Sequence, residues 1–469
     1  MDRRQKASIL AGLGSSMQNP ANAQIEGQLH TTSSQISLTM SFYILVQGIF
    51  PILWSIVSEM KGRKLVYILS ITFLMIGSIV IALSKNIGLV IGMRTIQAIG
   101  SSGVLLMGAA TLADVYDPHQ RGTMVGIYYS APLLGPSIGP IMGGVLTQTL
   151  GWRAIFWFLA IWGGIMLAVS IFLFKDTFRR ERSSIYQAVL QRIQRLPDTE
   201  VASGVKKSAC GDMGKFQEKS TDVEAARTTK AVKDVTVTFT DVNPVPAYVK
   251  ILGDKNNLAI ILSTGLGFGL SCTIGYTCAR TLSLYYNYDA LKTAFVLLFY
   301  GIGGIFGSIL GGRWSDRSLM QMKAANGGVS SPEERLESTK VAMWGLPPSV
   351  VAHAWVCQER VHIAAMCATL FFTGFFLIWI YLTSLAYIVD ANVGRSSSAV
   401  ATNSSCSGVI AFISLEVAVP LQDGMGDGGL YIMWAGLMLI LDLIVLVVLY
   451  KGKQWREKSS EKGSPQSAV

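Results

Sequence analysis

The chain has 469 residues, of which 51% are hydrophobic and only 14% charged, with a formal net charge of +10. A soluble chain of this length carries roughly a quarter charged residues, so the composition argues against an ordinary soluble globular protein. Six cysteines at 210, 272, 278, 357, 367 and 406 make no metal-ligand spacing and read as packing residues or free thiols.

Apolar stretches near twenty residues recur along most of the chain. That is the length at which a helix rising about 1.5 Å per residue crosses the hydrocarbon core, and a helix satisfies its own backbone there. The first candidate, 7–24, is short and made polar by Ser15, Ser16, Gln18, Asn19 and Pro20. Three readings stand open for it: a weak span lining a wet cavity, the remnant of a truncated span, or a cleavable signal segment behind Arg3, Arg4 and Lys6. Clear spans follow at 36–57, 65–84, 88–113, 122–147 and 152–174. The segment 175–256 is polar and too long for an ordinary connection, so most of it is expected to be flexible, with a short amphipathic helix at 182–195 on the membrane surface. Six more spans are expected at 257–279, 293–312, 338–357, 362–389, 398–421 and 430–450.

The expectation is an all-α membrane protein of about twelve helices, the first weak or truncated. It divides into a six-helix bundle at 1–174, a central loop at 175–256, a second six-helix bundle at 257–450 and a tail at 451–469. Lys61, Arg63 and Lys64, then Arg121, Arg313, Arg317, Arg335, Arg395 and the Lys451–Lys458 tail fall on one side of this topology. By the positive-inside rule both termini are cytosolic. The positive charge therefore reads as orientation and not as nucleic-acid binding.

The two halves carry traces of repetition. Ser58–Lys64 follows span 2 as Gly311–Arg317 follows span 8, and Asp114 with Arg121 corresponds to Asp390 with Arg395. Gly135, Gly139 and Gly143 repeat every four residues down span 5, and Gly303, Gly307 and Gly311 do so down span 8. Each set makes a bare ridge that another helix can approach closely, either for plain packing or as a sliding contact. Pro140 also removes a backbone donor and bends span 5.

The spacing Gly126-x8-Gly135-x3-Gly139-Pro140-x2-Gly143-Gly144, with Arg94–Gly100 in span 4 and Gly151-Trp152-Arg153 before span 6, resembles the major facilitator superfamily. The resemblance is to its fungal branch of twelve-span drug:proton antiporters, and it covers roughly residues 20–455. It implies the major facilitator fold and proton-coupled export of amphipathic drugs or xenobiotics by alternating access. It further implies a plasma-membrane monomer that works on a small organic substrate and protons within lipid, with no cofactor, no metal and no catalysis. By the same resemblance Glu59, Gly62, Arg63, Lys64 and Asp114 form a cytosolic latch. Ser55, Glu59 and Met60 depart from the family's pattern there.

Ionisable residues within spans are costly and are functional candidates by default. Arg94 and Glu416 are the proton-coupling candidates, and Asp442 in span 12 reads as a structural partner or interface residue. Cavity candidates are Tyr43, Gln47, Gln97, Tyr128, Tyr300, Trp379, Tyr381 and Asn403, since aromatic walls with a few polar groups suit amphipathic solutes. Two alternatives stay open: export of a native organic acid, polyamine or amino acid, and a non-transporting sensor on the same fold.

Overall fold

The computed structural model describes residues 12–115, 135–173, 245–325, 332–392 and 396–462. Among them the regular structure is entirely helical. Among the described residues eight helices are long and apolar enough to cross a membrane.

The first span is helical over 12–16, passes through a turn and a 3-10 turn at Asn19–Ala21, and resumes as α1 (Asn22–Leu29). Pro20 and the polar Gln18 and Asn19 interrupt the helix, which is why this span is not one apolar rod. His30 ends α1 in the left-handed region. Thr32 then caps α2 (Ser33–Ile49) with a reciprocal capping box to Gln35, an arrangement that stabilises a helix start by about 1 kcal/mol. Pro51 has no N–H to continue that ladder, so α3 (Pro51–Lys61) leaves α2 across a break. Gly62, with a φ of 92°, reverses the chain into α4 (Arg63–Leu83). The set continues with α5 (Ile87–Val115), α6 (Gly135–Leu150) and α7 (Arg153–Leu173).

A short α8 (Val245–Gly253) leads into α9 (Lys255–Tyr285), α10 (Ala290–Ala325), α11 (Thr339–Gln358) and α12 (Ile363–Ala391). The last element, α13 (Ser396–Lys462), is two antiparallel limbs joined at Gly426, whose φ of 73° turns the chain. The helices overrun the apolar stretches: α9 continues to residue 285 and α10 to residue 325, where spans ending at 279 and 312 are expected from hydropathy.

Among the described residues most of the Lys and Arg stand at one end, at Lys61–Lys64, in the last turns of α10, at Arg335 and Lys340 and at the end of α13; this is called the basic end, and the opposite is the far end. At the basic end Arg335 bridges Asp316, the last turns of α10, to Asp390 of α12, and Arg456 pairs with the buried Glu333. The two sets meet along two seams, α2 against the first limb of α13 and α6 against α10. Each set has its own buried apolar core, and the core of the first also takes in Tyr276, Leu415 and Val419 of the second.

Candidate functional site

Two cavities lie between the sets. A small central one of about 110 Å³ is bounded by Ser15, Ser16, Gln47, Pro140, Ser271 and Tyr300, among others. A vestibule of about 540 Å³ opens at the far end, between α1, α6, α9 and the start of α10. Asn19 borders both, so it stands where one cavity meets the other. The polar residues of the first span therefore face space between the two sets. Among the three readings of 7–24, its described part matches the span that lines a wet cavity.

Arg94 sits two turns into α5 and is 1% exposed. Its Nε donates to Gln18 at 2.7 Å, and its Nη1 to the Gly14 carbonyl at 2.9 Å and to Gln97 Oε1 at 2.7 Å. The guanidinium also lies 5.0 Å from the centre of the Tyr43 ring and 5.2 Å from that of Phe156. Every described partner is a neutral dipole or a ring. A buried cation normally takes a carboxylate to offset its desolvation, and among the described residues Arg94 has none. Its cage is nevertheless well tied: Gln18 also bonds Thr39 and Asn22, and Gln97 donates to Ser78 at 2.7 Å. Gln18 and Gly14 are the cage members that sequence reasoning missed. Gln18 counted only as one of the residues that weaken the first span, and nothing local to it signals a partner 76 residues away.

Glu416 is half-buried on the first limb of α13 and accepts a hydrogen bond from Ser41 of α2, across the seam between the sets. Arg94 and Glu416 belong to separate networks. Gln47 borders the central cavity and donates to Ser101 at 2.8 Å, and Tyr300 borders it and donates to Ser271 at 2.7 Å. Tyr43 and Gln97 belong to the Arg94 cage instead. Trp379 is buried against Trp314 and Phe375, over Gly311, and Asn403 accepts from Thr264 of α9 at 2.5 Å. Neither of these two borders a cavity. Tyr128 and Gly126 lie outside the described residues, as do the side chains of Glu59 and Asp114. Of the expected latch, Gly62 makes the turn, buried Arg63 donates to Ser58, and Lys64 donates to the Ile171 carbonyl at 3.1 Å.

The glycine ridges pack within their own sets. Cβ atoms on Gly135, Gly139 and Gly143 would fall on Gly12, Ser16 and Met17, and those on Gly303 and Gly307 on the backbone of Phe371 and Phe375. Glycine contacts that do cross between the sets include Gly144 against Ala290–Ala294, Gly48 against Gly408 and Gly275 against Asn19. Asp442 is buried, and one carboxylate oxygen has no hydrogen-bond partner among the described residues. No group of three or more His, Cys, Asp or Glu converges as a metal site among the described residues.

Two helix sets around a polar path, in a chain with this many spanning helices, define a multi-pass membrane transporter. The family model described as Major Facilitator Superfamily matches residues 7–330, and the chain belongs to that family. It is 25% identical to the MFS antiporter QDR3 of Candida albicans, over 96% of this chain and 77% of that one. It is also 25% identical to Citrate exporter 1 of Aspergillus niger, over 96% of this chain and 85% of that one. Among solved structures, human MFSD10, titled an organic anion transporter, superposes with a TM-score of 0.59 at 16% identity. That match covers 94% of this chain and 98% of the other, and it bears on the fold.

Proposed function

We propose that this chain is a proton-coupled exporter of amphipathic organic molecules that works by alternating access between its two helix sets. The observation that carries the reading is Arg94: a fully buried cation, close to the path between the sets, whose described partners are all neutral. Such a group responds strongly to any negative charge or proton that arrives beside it, because low-dielectric surroundings screen little. The named antiporter among the relatives supports exchange of the solute against an ion. The division into bundles at 1–174 and 257–450, cytosolic termini, residence in the plasma membrane and action as a monomer belong to the same proposal. So do the latch of Glu59, Gly62, Arg63, Lys64 and Asp114 and the coupling role of Glu416. No catalytic step is assigned to any residue.

A second reading is export of a native organic acid. A guanidinium with no carboxylate partner among the described residues suits an anionic solute, and Citrate exporter 1 is among the relatives.

The test is uptake of a fluorescent cationic dye into inverted vesicles under a proton gradient. Uptake should vanish when the gradient is collapsed and fall at least about tenfold in Arg94→Ala, since breaking a buried charged network costs several kcal/mol. Arg94→Lys should not restore it, because an ammonium cannot reproduce the planar fork. Glu416→Gln should uncouple uptake from the gradient. Dye uptake that ignores the gradient would sink proton coupling, and gradient-driven citrate efflux with no dye uptake would favour the second reading.

A further inference from the structure

Asp427 follows the turn at Gly426, where the two limbs of α13 meet at the far end. It is 6% exposed, and no cation touches it among the described residues. Thr281 Oγ1 of α9 lies 3.1 and 2.9 Å from its two oxygens, and Gln422 Nε2 donates to Oδ1 at 2.5 Å. Gln358 of α11 ties the turn by accepting from the Gly428 N–H at 3.0 Å. Behind this shell stands Arg280, which donates to Gln422 Oε1 at 2.9 Å and pairs with Asp423 at 2.8 Å. The other ionisable groups facing Asp427 are Cys278 of α9, Cys357 of α11 and Tyr431 of α13. They stand close enough to feel its charge, with His353 against the Tyr431 ring.

A buried carboxylate is costly without a cation in contact. Here the polar shell serves the acid in both of its forms. Thr281 has one hydroxyl proton and two places for it, Asp427 or the Thr277 carbonyl at 3.0 Å. With Asp427 ionised, the hydroxyl donates to the carboxylate. With a proton taken from far-side water onto Oδ2, the acid donates to Thr281 Oγ1 across the same 2.9 Å, and the threonine proton turns to the Thr277 carbonyl. Gln422 donates to Oδ1 in either form. No heavy atom moves, and no buried donor or acceptor is left unpaired, the loss that usually makes such a change expensive.

The proton is felt at Arg280. Arg280 with Asp423 and Asp427 passes from one excess negative charge to none. Gln422 then donates to a neutral acid, so its carbonyl is polarised less and holds Arg280 more weakly. Asp423 is 58% exposed, and its pull is screened. On the other side Arg280 donates to Ser33 Oγ at 3.3 Å, and Ser33 donates to Glu26 at 2.9 Å, both on the first set. Arg280 and Glu26 both border the vestibule. We propose that Asp427 is a proton-binding site reached from the far side, and that its proton shifts Arg280 from the second set toward Ser33 and Glu26, narrowing the vestibule. The site stands apart from the transport reading, and any use of it in a transport cycle rests on that reading.

The test is infrared difference spectroscopy of the purified full-length chain in lipid nanodiscs, between about pH 7.5 and about pH 4.5, which reaches the ordinary carboxylate range. The native chain should gain at low pH a protonated-carboxyl C=O stretch that Asp427→Asn lacks. Thr281→Val, which removes the acceptor of the acid proton, should shift the frequency of that band, and Asp423→Asn should leave it in place. The gate is read from a cysteine at Gln24, on the vestibule wall, by its rate of reaction with a membrane-impermeant maleimide. Rates with and without Asp427→Asn are compared at the same pH, which cancels the ionisation of the thiol. Asparagine carries the neutral form permanently, so it should slow the reaction at least about threefold at about pH 7.5, and the two rates should agree at about pH 4.5. If Asp427→Asn fails to elute as a single species, the frequency shift in Thr281→Val decides the outcome. No band lost in Asp427→Asn, or equal rates at both pH values, overturns the proposal. The expected band and rates in a chain without gradient-driven dye uptake would keep the site and remove the transport reading. Dye uptake with neither would do the reverse.

Discussion

The seam between α2 and the first limb of α13 is built differently at its two ends. Toward the far end it is made of side chains. From α9, Tyr276 Oη donates to the Ser33 carbonyl at 2.6 Å and Arg280 spans from Ser33 to Gln422 and Asp423, and two turns deeper Ser41 donates to Glu416. Toward the basic end it is nearly bare backbone: Gly48 lies against Gly408, and among the described residues Ser405 reaches across to the Gly48 carbonyl at 3.0 Å. Water can replace hydrogen bonds one at a time at modest net cost. A close backbone contact has no such intermediate, because interiors are packed like crystals and shift between discrete arrangements. The far end therefore suits a gate that loosens in steps, and the basic end suits a contact that is either closed or open.

The strongest way to break this contrast is to give the bare contact a side chain. A Cβ on Gly408 would come within 2.9 Å of the Gly48 Cα, so Gly408→Val forces the seam apart. Overpacking of this kind costs about 1–3 kcal/mol, and gradient-driven uptake should fall at least about fivefold. Unchanged uptake would mean the contact does not need to close during transport. A smaller effect is expected at the far end. Tyr276→Phe removes one hydrogen bond worth about 0.5–1.5 kcal/mol, which shifts an open–closed balance by roughly twofold to tenfold. A cysteine placed at Gln24, on the vestibule wall, should then react several-fold faster with a membrane-impermeant maleimide. An unaltered rate would show that this bond does not hold the far end closed.

Much of the fold was legible because lipid imposes a length. Every clear apolar run whose residues are described appears as a helix near its expected place. What lay just beyond the runs was not legible. Arg280 and Thr281 follow the expected end of their span at residue 279, and so read as loop. The helix carries on to Tyr285 and buries Thr281 beside Asp427, at 2.9 Å. The site was legible in residue type more than in direction. Arg94, Gln47 and Glu416 stood out as polar groups within apolar spans, and all three make polar contacts at or near the path. Trp379 and Asn403 stood out for the same reason yet pack away from both cavities, because composition does not say which way a helix face points. The glycine ridges showed the same limit: the four-residue spacing marks a bare face, while its partner, the first span for one and α12 for the other, is fixed only by tertiary packing.

The finest test sets two serines on the same seam against each other. Ser405 has a choice of acceptors, because its hydroxyl lies 3.0 Å from both the Gly48 carbonyl and the Ala401 carbonyl of its own helix. It has one proton to give, so the cross-seam bond competes with an intrahelical one and nets little. Ser405→Ala should leave uptake within about twofold of the native rate, since its net worth lies at or below the low end of about 0.5–1.5 kcal/mol. Ser41 also has an intrahelical acceptor, the Leu38 carbonyl at 3.3 Å, but its contact to Glu416 is the closer one and goes to a carboxylate; hydrogen bonds to charged groups are worth about 1.5–3 kcal/mol. Glu416 is only half-buried, so solvent screening takes that toward the lower figure. Ser41→Ala should accordingly cut uptake by roughly threefold to tenfold, and more steeply than Ser405→Ala in the same vesicles. Equal losses from the two would mean that the seam is uniform along its length, and the stepwise far-end gate would have to be given up.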